Sequence, residues 1–240
     1  MKLVIFAGGI GSRLSEETRS KPKPMVLIGG KPIIWHIMKF YSHYNVKEFI
    51  ICGGYKYNNF INYFKKANKE IEALGWKINI VNTGLKTMTG GRLKRVGHLL
   101  NNNQDFCLTY GDGLCNVNIT KLIRFHKKQK KLATVLAVTP SPRFGSLLIK
   151  KNIVKKFDEK PINLNNWING GFFVLSKKVI KFLKNDNTIW EKEPLETIAK
   201  KNQLVAFKHK DFWAAMDTLR EKYFLEELWR KKKAPWKVWK

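Results

Sequence analysis

The sequence is poor in acidic residues, in cysteine and in long apolar runs. Its 240 residues include 18 Asp and Glu but 46 Lys and Arg. The cysteines, Cys52, Cys107 and Cys115, are odd in number and lack CxxC spacing, which argues against a disulfide framework and a structural zinc site. No apolar run approaches the roughly 18 residues of a membrane helix, and the N-terminal run, Leu3 to Ala7, is too short for a signal peptide. We therefore expect a cytoplasmic protein without a membrane segment.

The excess of basic residues gives a formal net charge of +28, which has two interpretations. It can indicate a polyanionic partner such as nucleic acid or a phosphate-rich substrate. It can also reflect drift on a tolerant surface, because 38 of the 46 basic residues are Lys, the chain has 20 Asn, and the basic residues are spread along its whole length. Specific readers of nucleic acid favour Arg. The composition therefore favours drift over a nucleic-acid partner.

Hydrophobic periodicity in the first part of the chain alternates strands with amphipathic helices, a pattern typical of a parallel, doubly wound α/β sheet. The predicted strands are 2–6, 48–52, 76–81, 105–110 and 132–138, and the predicted helices are 32–44, 57–67, 91–101 and 119–130. The second part predicts a hairpin turning at 151–152, strands at 171–175 and 204–208, and helices at 177–184, 193–201 and 218–230. Because no linker separates the parts, we expect one domain, 1–240.

A glycine-rich loop follows the first predicted strand. Glycines let backbone N–H groups approach phosphate oxygens, and an arginine adds a bidentate charge. The third position of a dinucleotide fingerprint falls on Leu14, and no Walker lysine follows, so the loop is either a phosphate site of another kind or a plain turn. The segment Lys21 to Pro24 favours the former, because its prolines present Lys23 from a rigid stretch. The loop residues are Ala7, Gly8, Gly9, Ile10, Gly11, Ser12 and Arg13.

Two aspartates form a candidate metal pair. Asp112 stands between Gly111 and Gly113 at the mouth of a strand, and Asp217 precedes the last helix. Mg²⁺ prefers one or two carboxylates together with phosphate oxygens. The alternatives are an Asp-Gly turn for Asp112 and a helix N-cap for Asp217.

Three further segments are candidates for binding polar ligands, and a turn is the alternative for each. Thr87 to Leu93 opens a helix and offers N–H groups and Arg92 to an anion. Glu159 and Lys160 precede a proline, and Asn169 precedes two glycines. The five histidines show no metal spacing, and no nucleophile motif is present, so covalent catalysis has no support.

Taken together, the motifs resemble those of the sugar-phosphate nucleotidylyltransferases, and the similarity extends along nearly the whole chain. The segments that carry it are AGGIGSRL at 7–14, KPKPM at 21–25, TMTGGRLKRV at 87–96, GDG at 111–113, EKP at 159–161, NGG at 169–171 and MDT at 216–218. The resemblance implies a Rossmann-like, mixed but mainly parallel sheet of the GT-A-like type, with a nucleotide-binding half, 1–140, and a sugar-phosphate-binding half, 141–240. It also implies Mg²⁺-dependent conversion of CTP and α-D-glucose 1-phosphate to CDP-glucose and pyrophosphate, for surface polysaccharide synthesis, by a homo-oligomer.

The resemblance assigns roles to individual residues. Lys23, Arg13, Asp112 and Asp217 would be catalytic, with Mg²⁺ held by the two aspartates. The nucleotide-binding set would be Ala7 to Arg13, Lys23, Thr87, Arg92 and Gly111. The sugar phosphate would be bound by Gly145, Glu159, Lys160 and Asn169.

One departure and two alternatives accompany this interpretation. The segment Lys65 to Gly75 is shorter than the family's, where it helps build subunit contacts, so the oligomeric state is left open. The substrate can be another sugar phosphate or another pyrimidine triphosphate. A non-catalytic nucleic-acid binder is the alternative of another class, because the net charge is +28 and aromatic side chains lie among lysines at 234–239, a mixture that can stack bases.

Overall fold

The structure is a computed structural model that describes residues 1–102, 104–140, 146–158 and 167–239. Its strands are β1 Lys2–Ala7, β2 Leu27–Ile28, β3 Lys31–Pro32, β4 Glu48–Gly53, β5 Lys77–Asn82, β6 Asp105–Tyr110, β7 Gly113–Cys115, β8 Ala133–Val138, β9 Ser146–Lys150, β10 Ile153–Asp158, β11 Ile168–Ser176, β12 Leu204–His209 and β13 Trp213–Ala215. Its α-helices are α1 Ser15–Thr18, α2 Ile33–His43, α3 Asn58–Lys66, α4 Asn68–Leu74, α5 Thr89–Val96, α6 Ile119–Gln129, α7 Glu193–Lys200 and α8 Leu219–Arg230. Short 3₁₀ turns cover Ser12–Leu14, Lys23–Met25, Gly97–Leu99 and Lys177–Phe182.

The central sheet has the strand order β12-β8-β11-β6-β1-β4-β5 within the described residues. β1 pairs in parallel with β4 and β6, β4 with β5, and β8 with β12. β11 lies antiparallel between β6 and β8. The predicted mixed, mainly parallel sheet is confirmed, and β11, from the second half of the chain, lies between two strands of the first half.

Burial on both faces explains why the central strands are continuously apolar. Leu3 and Ile5 of β1 belong to one hydrophobic cluster, whereas Val4 and Phe6 belong to a second cluster on the opposite face. The alternation of side chains along a strand accounts for this division. The parallel strands end at a common edge, where loops from distant parts of the chain meet.

Several predicted boundaries differ from the structure. The helix predicted at 91–101 is α5 followed by a 3₁₀ turn, and the one predicted at 177–184 is 3₁₀. The abbreviated segment Lys65 to Gly75 contains α4, which ends at Gly75 with φ 65°. The short antiparallel pair of β7 and β13 was not predicted, because three residues are too few to show a period.

The C-terminal tail packs into the core. Trp236 is fully buried and lies beside His36 and Trp229. A fully buried indole is not free to stack on a base, so Trp236 does not offer the stacking surface expected of the tail. Among the described residues no helix is both long and apolar enough to cross a membrane.

Candidate active site

A cavity of about 530 Å³ opens at the carboxyl ends of β1 and β6, where open α/β sheets bind their ligands. Its lining combines the glycine loop, the start of α5, the end of β6 and the segment before α8. The lining residues are Phe6, Ala7, Gly8, Gly9, Gly11, Ser12, Arg13, Lys23, Pro24, Thr87, Met88, Thr89, Arg92, Tyr110, Gly111, Asp112, Ala215 and Asp217. Ile10 is outside this set, and its side chain is exposed.

The glycine loop turns sharply into a 3₁₀ turn that buried Leu14 anchors. Gly11 has φ 70°, a left-handed conformation that a side chain rarely adopts. A Cβ on Gly8 would lie 2.0 Å from the Arg92 Nη1 atom. The two positions therefore require glycine for different reasons, one for backbone conformation and the other for close packing.

Lys23 lies at the centre of the charged wall of the cavity. The 3₁₀ turn Lys23–Met25 follows Pro22, and Pro24 is buried within it. The Lys23 ammonium donates to Asp112 Oδ2 at 2.5 Å and to Asp217 Oδ1 at 2.6 Å, and the Lys23 side chain is 12% exposed. Arg13, largely exposed, donates to Asp217 Oδ2 at 3.0 Å. The structure thus brings together all four side chains that the sequence assigns to catalysis.

These ion pairs keep Lys23 charged despite its burial. Burial alone lowers the pKa of a lysine, but the adjacent Asp112 and Asp217 carboxylates outweigh it and raise the pKa of Lys23 above its ordinary value. The Lys23 side chain is therefore a permanent cation at the base of the cavity.

The pairing of β7 with β13 positions the two aspartates. Ala215 pairs with Gly113, and the Met216 N–H donates to the Asp112 carbonyl at 2.9 Å. Asp112 and Asp217 therefore project from adjacent backbones, although they are far apart in the sequence.

The N-cap of α8, the helix that follows Asp217, is Thr218. Glu221 accepts hydrogen bonds from the Thr218 N–H at 2.7 Å and the Asp217 N–H at 3.1 Å, which forms a capping box for α8. Asp217 is not the N-cap that the sequence left as an alternative, and its carboxylate faces Lys23.

Arg92 lies beside the cavity with most of its donors used by the protein. It is 5% exposed, and burial lowers the pKa of its guanidinium. Its terminal nitrogens donate to the carbonyls of Gly8, Gly53, Gly84 and Leu85 and to Thr83 Oγ1, over 2.7–3.4 Å. In this arrangement Arg92 fastens the ends of β1, β4 and β5 together, and the phosphate or base contact expected from the sequence stays a prediction.

A second wall of the cavity is made of hydroxyl groups and was missed by sequence reasoning. The Tyr110 hydroxyl donates to Glu191 Oε1 at 2.5 Å, and the Thr89 hydroxyl donates to Glu191 Oε2 at 2.6 Å. The Asn169 amide donates to the Tyr110 oxygen at 3.3 Å. Glu191 lies in none of the motifs singled out from the sequence, and its contacts are to residues about 80 to 100 positions away in the chain.

Part of the predicted sugar-phosphate set can be placed. Asn169 is exposed and touches the cavity only through Tyr110. Gly145, Glu159 and Lys160 lie outside the described residues. The start of α5 is used partly for packing, because the Met88 N–H donates to the Asp186 carbonyl at 2.8 Å.

Comparisons with known proteins agree with this geometry. The sequence profile described as nucleotidyl transferase matches residues 2–222. This chain belongs to the nucleotidyl transferase family. The glucose-1-phosphate cytidylyltransferase of Salmonella typhimurium is 50% identical over 258 residues, which cover 100% of each chain. The aligned length exceeds the 240 residues of this chain, so the relative has residues without a counterpart here.

A more distant relative and two solved structures are also similar to this chain. The mannose-1-phosphate guanyltransferase of Yarrowia lipolytica is 30% identical over 94% of this chain and 62% of its own length. The structure of HddC from Yersinia pseudotuberculosis superposes with a TM-score of 0.73 at 26% identity, over 95% of this chain and 99% of that one. UDP-glucose pyrophosphorylase in complex with UDP-glucose gives a TM-score of 0.74 at 19% identity, over 96% and 98% of the two chains. The family membership and the fold thus rest on independent comparisons.

Proposed function

We propose that this nucleotidyl transferase makes CDP-glucose and pyrophosphate from CTP and α-D-glucose 1-phosphate. The observation that carries the proposal is the charged wall, where Lys23 lies between Asp112 and Asp217 at the foot of a glycine loop. The choice of substrates is supported by the full-length similarity to the Salmonella enzyme of that name.

The reaction is an in-line displacement at the α-phosphorus of CTP. A phosphate oxygen of glucose 1-phosphate forms the new P–O bond, the bond from the α-phosphorus to the bridging oxygen breaks, and pyrophosphate leaves with the electron pair. Among the described residues no histidine or cysteine lines the cavity. This lining favours direct displacement, in which catalysis is positioning and charge stabilisation.

Lys23 and Arg13 would move from the aspartates to the triphosphate. In the unliganded arrangement their positive charges neutralise Asp112 and Asp217. A bound triphosphate supplies stronger acceptors, and charge-assisted hydrogen bonds to phosphate would hold its chain for attack. Amides of the glycine loop would contribute further donors.

Asp112 and Asp217 would then hold a divalent cation, for which Mg²⁺ is our choice. The fit is chemical, because both carboxylates already converge on one cation, the Lys23 ammonium. No group of three or more metal-binding side chains occurs in the described part of the chain, but Mg²⁺ needs only one or two carboxylates when phosphate oxygens complete its shell. When bound, the metal supplies charge stabilisation at the reacting phosphates.

The test is a pyrophosphate-release assay over four nucleoside triphosphates and several sugar 1-phosphates, with the metal varied. We expect the highest kcat/KM with CTP, glucose 1-phosphate and Mg²⁺. A pocket whose backbone carbonyl accepts from the cytosine amino group and whose backbone N–H donates to N3 would face like groups in uracil. Each such mismatch of buried polar groups would weaken binding by about 1–3 kcal/mol. A CTP to UTP ratio below about ten, less than 1.4 kcal/mol of discrimination, would replace the cytidylyl assignment with a broad pyrimidine transferase.

A different sugar phosphate or nucleotide is the second candidate, favoured by the similarity to a mannose-1-phosphate guanyltransferase. The same assay panel decides between the two. Substrate choice also depends on the sugar side, to which the sequence assigns Lys160. We expect Lys160→Ala to raise the KM for sugar phosphate far more than the KM for CTP.

A further inference from the structure

Glu191 belongs to a segment that packs from outside the cavity against the start of α5. The Gly91 N–H donates to the Thr188 carbonyl at 3.1 Å, and the Trp190 N–H donates to Thr89 Oγ1 at 2.9 Å. A Cβ on Gly91 would lie 2.5 Å from the Asp186 carbonyl oxygen. The segment from Asp186 to Glu191 therefore packs directly on the start of α5, and Glu191 comes last in it.

The Glu191 carboxylate forms hydrogen bonds with two residues that line the cavity and belong to different elements. Thr89 begins α5, and Tyr110 ends β6 next to Gly111 and Asp112. Both hydroxyls donate to the two oxygens of this one carboxylate, at 2.6 and 2.5 Å. Glu191 itself does not line the cavity, so its negative charge is kept behind the wall and away from a bound phosphate.

The direction of these two hydrogen bonds decides what the wall offers to a ligand. A hydroxyl group has one proton and two lone pairs. Because the carboxylate takes both protons, the Tyr110 and Thr89 oxygens present only lone pairs. The Thr89 oxygen already accepts from Trp190, whereas the Tyr110 oxygen, within the described part of the chain, accepts only the longer bond from Asn169, at 3.3 Å. The Tyr110 oxygen is therefore an acceptor suited to a ligand hydroxyl.

The Tyr110 ring is held rigidly in this place. Gly171 has φ 78°, and a Cβ there would lie 2.5 Å from Tyr110 Cδ2. The short hydrogen bond to Glu191 Oε1, at 2.5 Å, fixes the direction in which the phenol proton points. Rigid placement and fixed proton direction are what a site needs to distinguish a hydroxyl from a hydrogen.

We propose that Glu191 is a positioning residue that orients the Tyr110 hydroxyl as an acceptor for a hydroxyl group of the sugar phosphate, and that this pair sets sugar specificity. The proposal rests on the proposed function for the identity of the sugar. It assigns no contact between Glu191 and substrate, because Glu191 acts through Tyr110.

The experiment compares glucose 1-phosphate with its 2-, 3-, 4- and 6-deoxy analogues in the wild-type chain, Glu191→Gln and Tyr110→Phe. The matched control is Glu193→Gln, since Glu193 is exposed and pairs with Lys184 in the same region. For each protein, kcat/KM with glucose 1-phosphate is divided by kcat/KM with each analogue. We expect this ratio to be at least tenfold in the wild-type chain for one analogue, and to fall severalfold for that analogue in both variants but not in the control.

Two outcomes would overturn the proposal. One is a wild-type chain with ratios near one for every analogue. The other is a Glu191→Gln or Tyr110→Phe chain whose activity falls by the same factor for all sugars, which indicates a structural brace. Tyr110→Phe removes a single oxygen and keeps the test valid if Glu191→Gln does not fold. Calorimetric Kd values for the same sugars give the ratios without turnover, so an inactive wild-type chain that binds them selectively contradicts only the proposed function.

Discussion

Two regions of the molecule each surround a basic side chain, with opposite effects on its pKa. Lys23 lies in the charged wall of the cavity, and His36 lies beside Trp35, Trp229 and Trp236 beneath the C-terminal tail. Lys23, 12% exposed, lies between two carboxylates and has a pKa above its ordinary value. His36, fully buried, has no carboxylate contact among the described residues, and burial lowers its pKa to about 4. Its Nε2 lies 2.8 Å from the Ile28 carbonyl, and its Nδ1 lies 3.4 Å from Trp236 Nε1.

The difference shows that the partner, and not burial alone, decides the charge of a basic group in this chain. Desolvation lowers the pKa of both basic groups. Among the described residues, acidic neighbours offset this effect at Lys23 but not at His36. Arg92 is intermediate, since carbonyl dipoles surround it in place of carboxylates. In a chain with 18 acidic residues, two of them hold Lys23 in the cavity as a fixed cation. The cluster around His36 is a neutral structural core.

Removing one carboxylate from the charged wall should have the largest effect. We expect Asp112→Asn to lower kcat on the order of 10³-fold or more, because a metal ligand and its charge are lost. Circular dichroism and thermal unfolding check that the variant is folded. A folded variant that keeps a tenth of wild-type activity with Mg²⁺ would remove Asp112 from the metal site.

Breaking the carbonyl contacts of Arg92 should have the next largest effect, on stability. We expect Arg92→Met to lower the free energy of unfolding by about 3 kcal/mol, because buried carbonyls lose their donor. Urea unfolding measures this loss, and hydrogen exchange should show faster exchange in the glycine loop of the unliganded variant.

The control for Arg92 is Arg95→Met, one turn along α5. Arg95 is an exposed residue that donates to both Asp186 oxygens, and its loss should leave the urea midpoint nearly unchanged. If Arg92→Met keeps wild-type stability and loop exchange but loses affinity for CTP, Arg92 contacts the ligand directly.

The neutral state of His36 predicts a pH dependence of stability. Its folded pKa of about 4 is below the ordinary 6.5, so the unfolded chain binds the proton first as pH falls. The neutral state of His36 therefore contributes roughly 3 kcal/mol to the free energy of unfolding above pH 6.5, and this contribution is lost as the pH falls from 6.5 to 4. Urea unfolding at pH 7.0 and 4.5 should show a smaller pH effect in His36→Gln than in the wild-type chain. An equal pH effect in both proteins contradicts the assignment, and His43→Gln, on the exposed face of the same helix, should behave as wild type.

The exposed ion pair at the edge of the charged wall should contribute least to stability. Arg13 is 75% exposed where it meets Asp217, and such pairs contribute about 1 kcal/mol or less. Arg13→Lys should leave the free energy of unfolding within that range and weaken CTP binding severalfold, because lysine lacks the bidentate fork. A large loss of stability with unchanged CTP affinity would make Arg13 a structural residue.

The alternation of strands and helices, the glycine loop and the rigid presentation of Lys23 could be predicted from the amino-acid sequence. These features depend on short-range periodicity and on the backbone limits of glycine and proline, which can be recognised along a chain. Which side chains come into contact depends on the tertiary fold. The pairing of β7 with β13 brings Asp112 to Asp217, and packing of distant segments gives Arg92 its carbonyls and Glu191 its hydroxyls. Such contacts join residues far apart in sequence, so no local pattern encodes them.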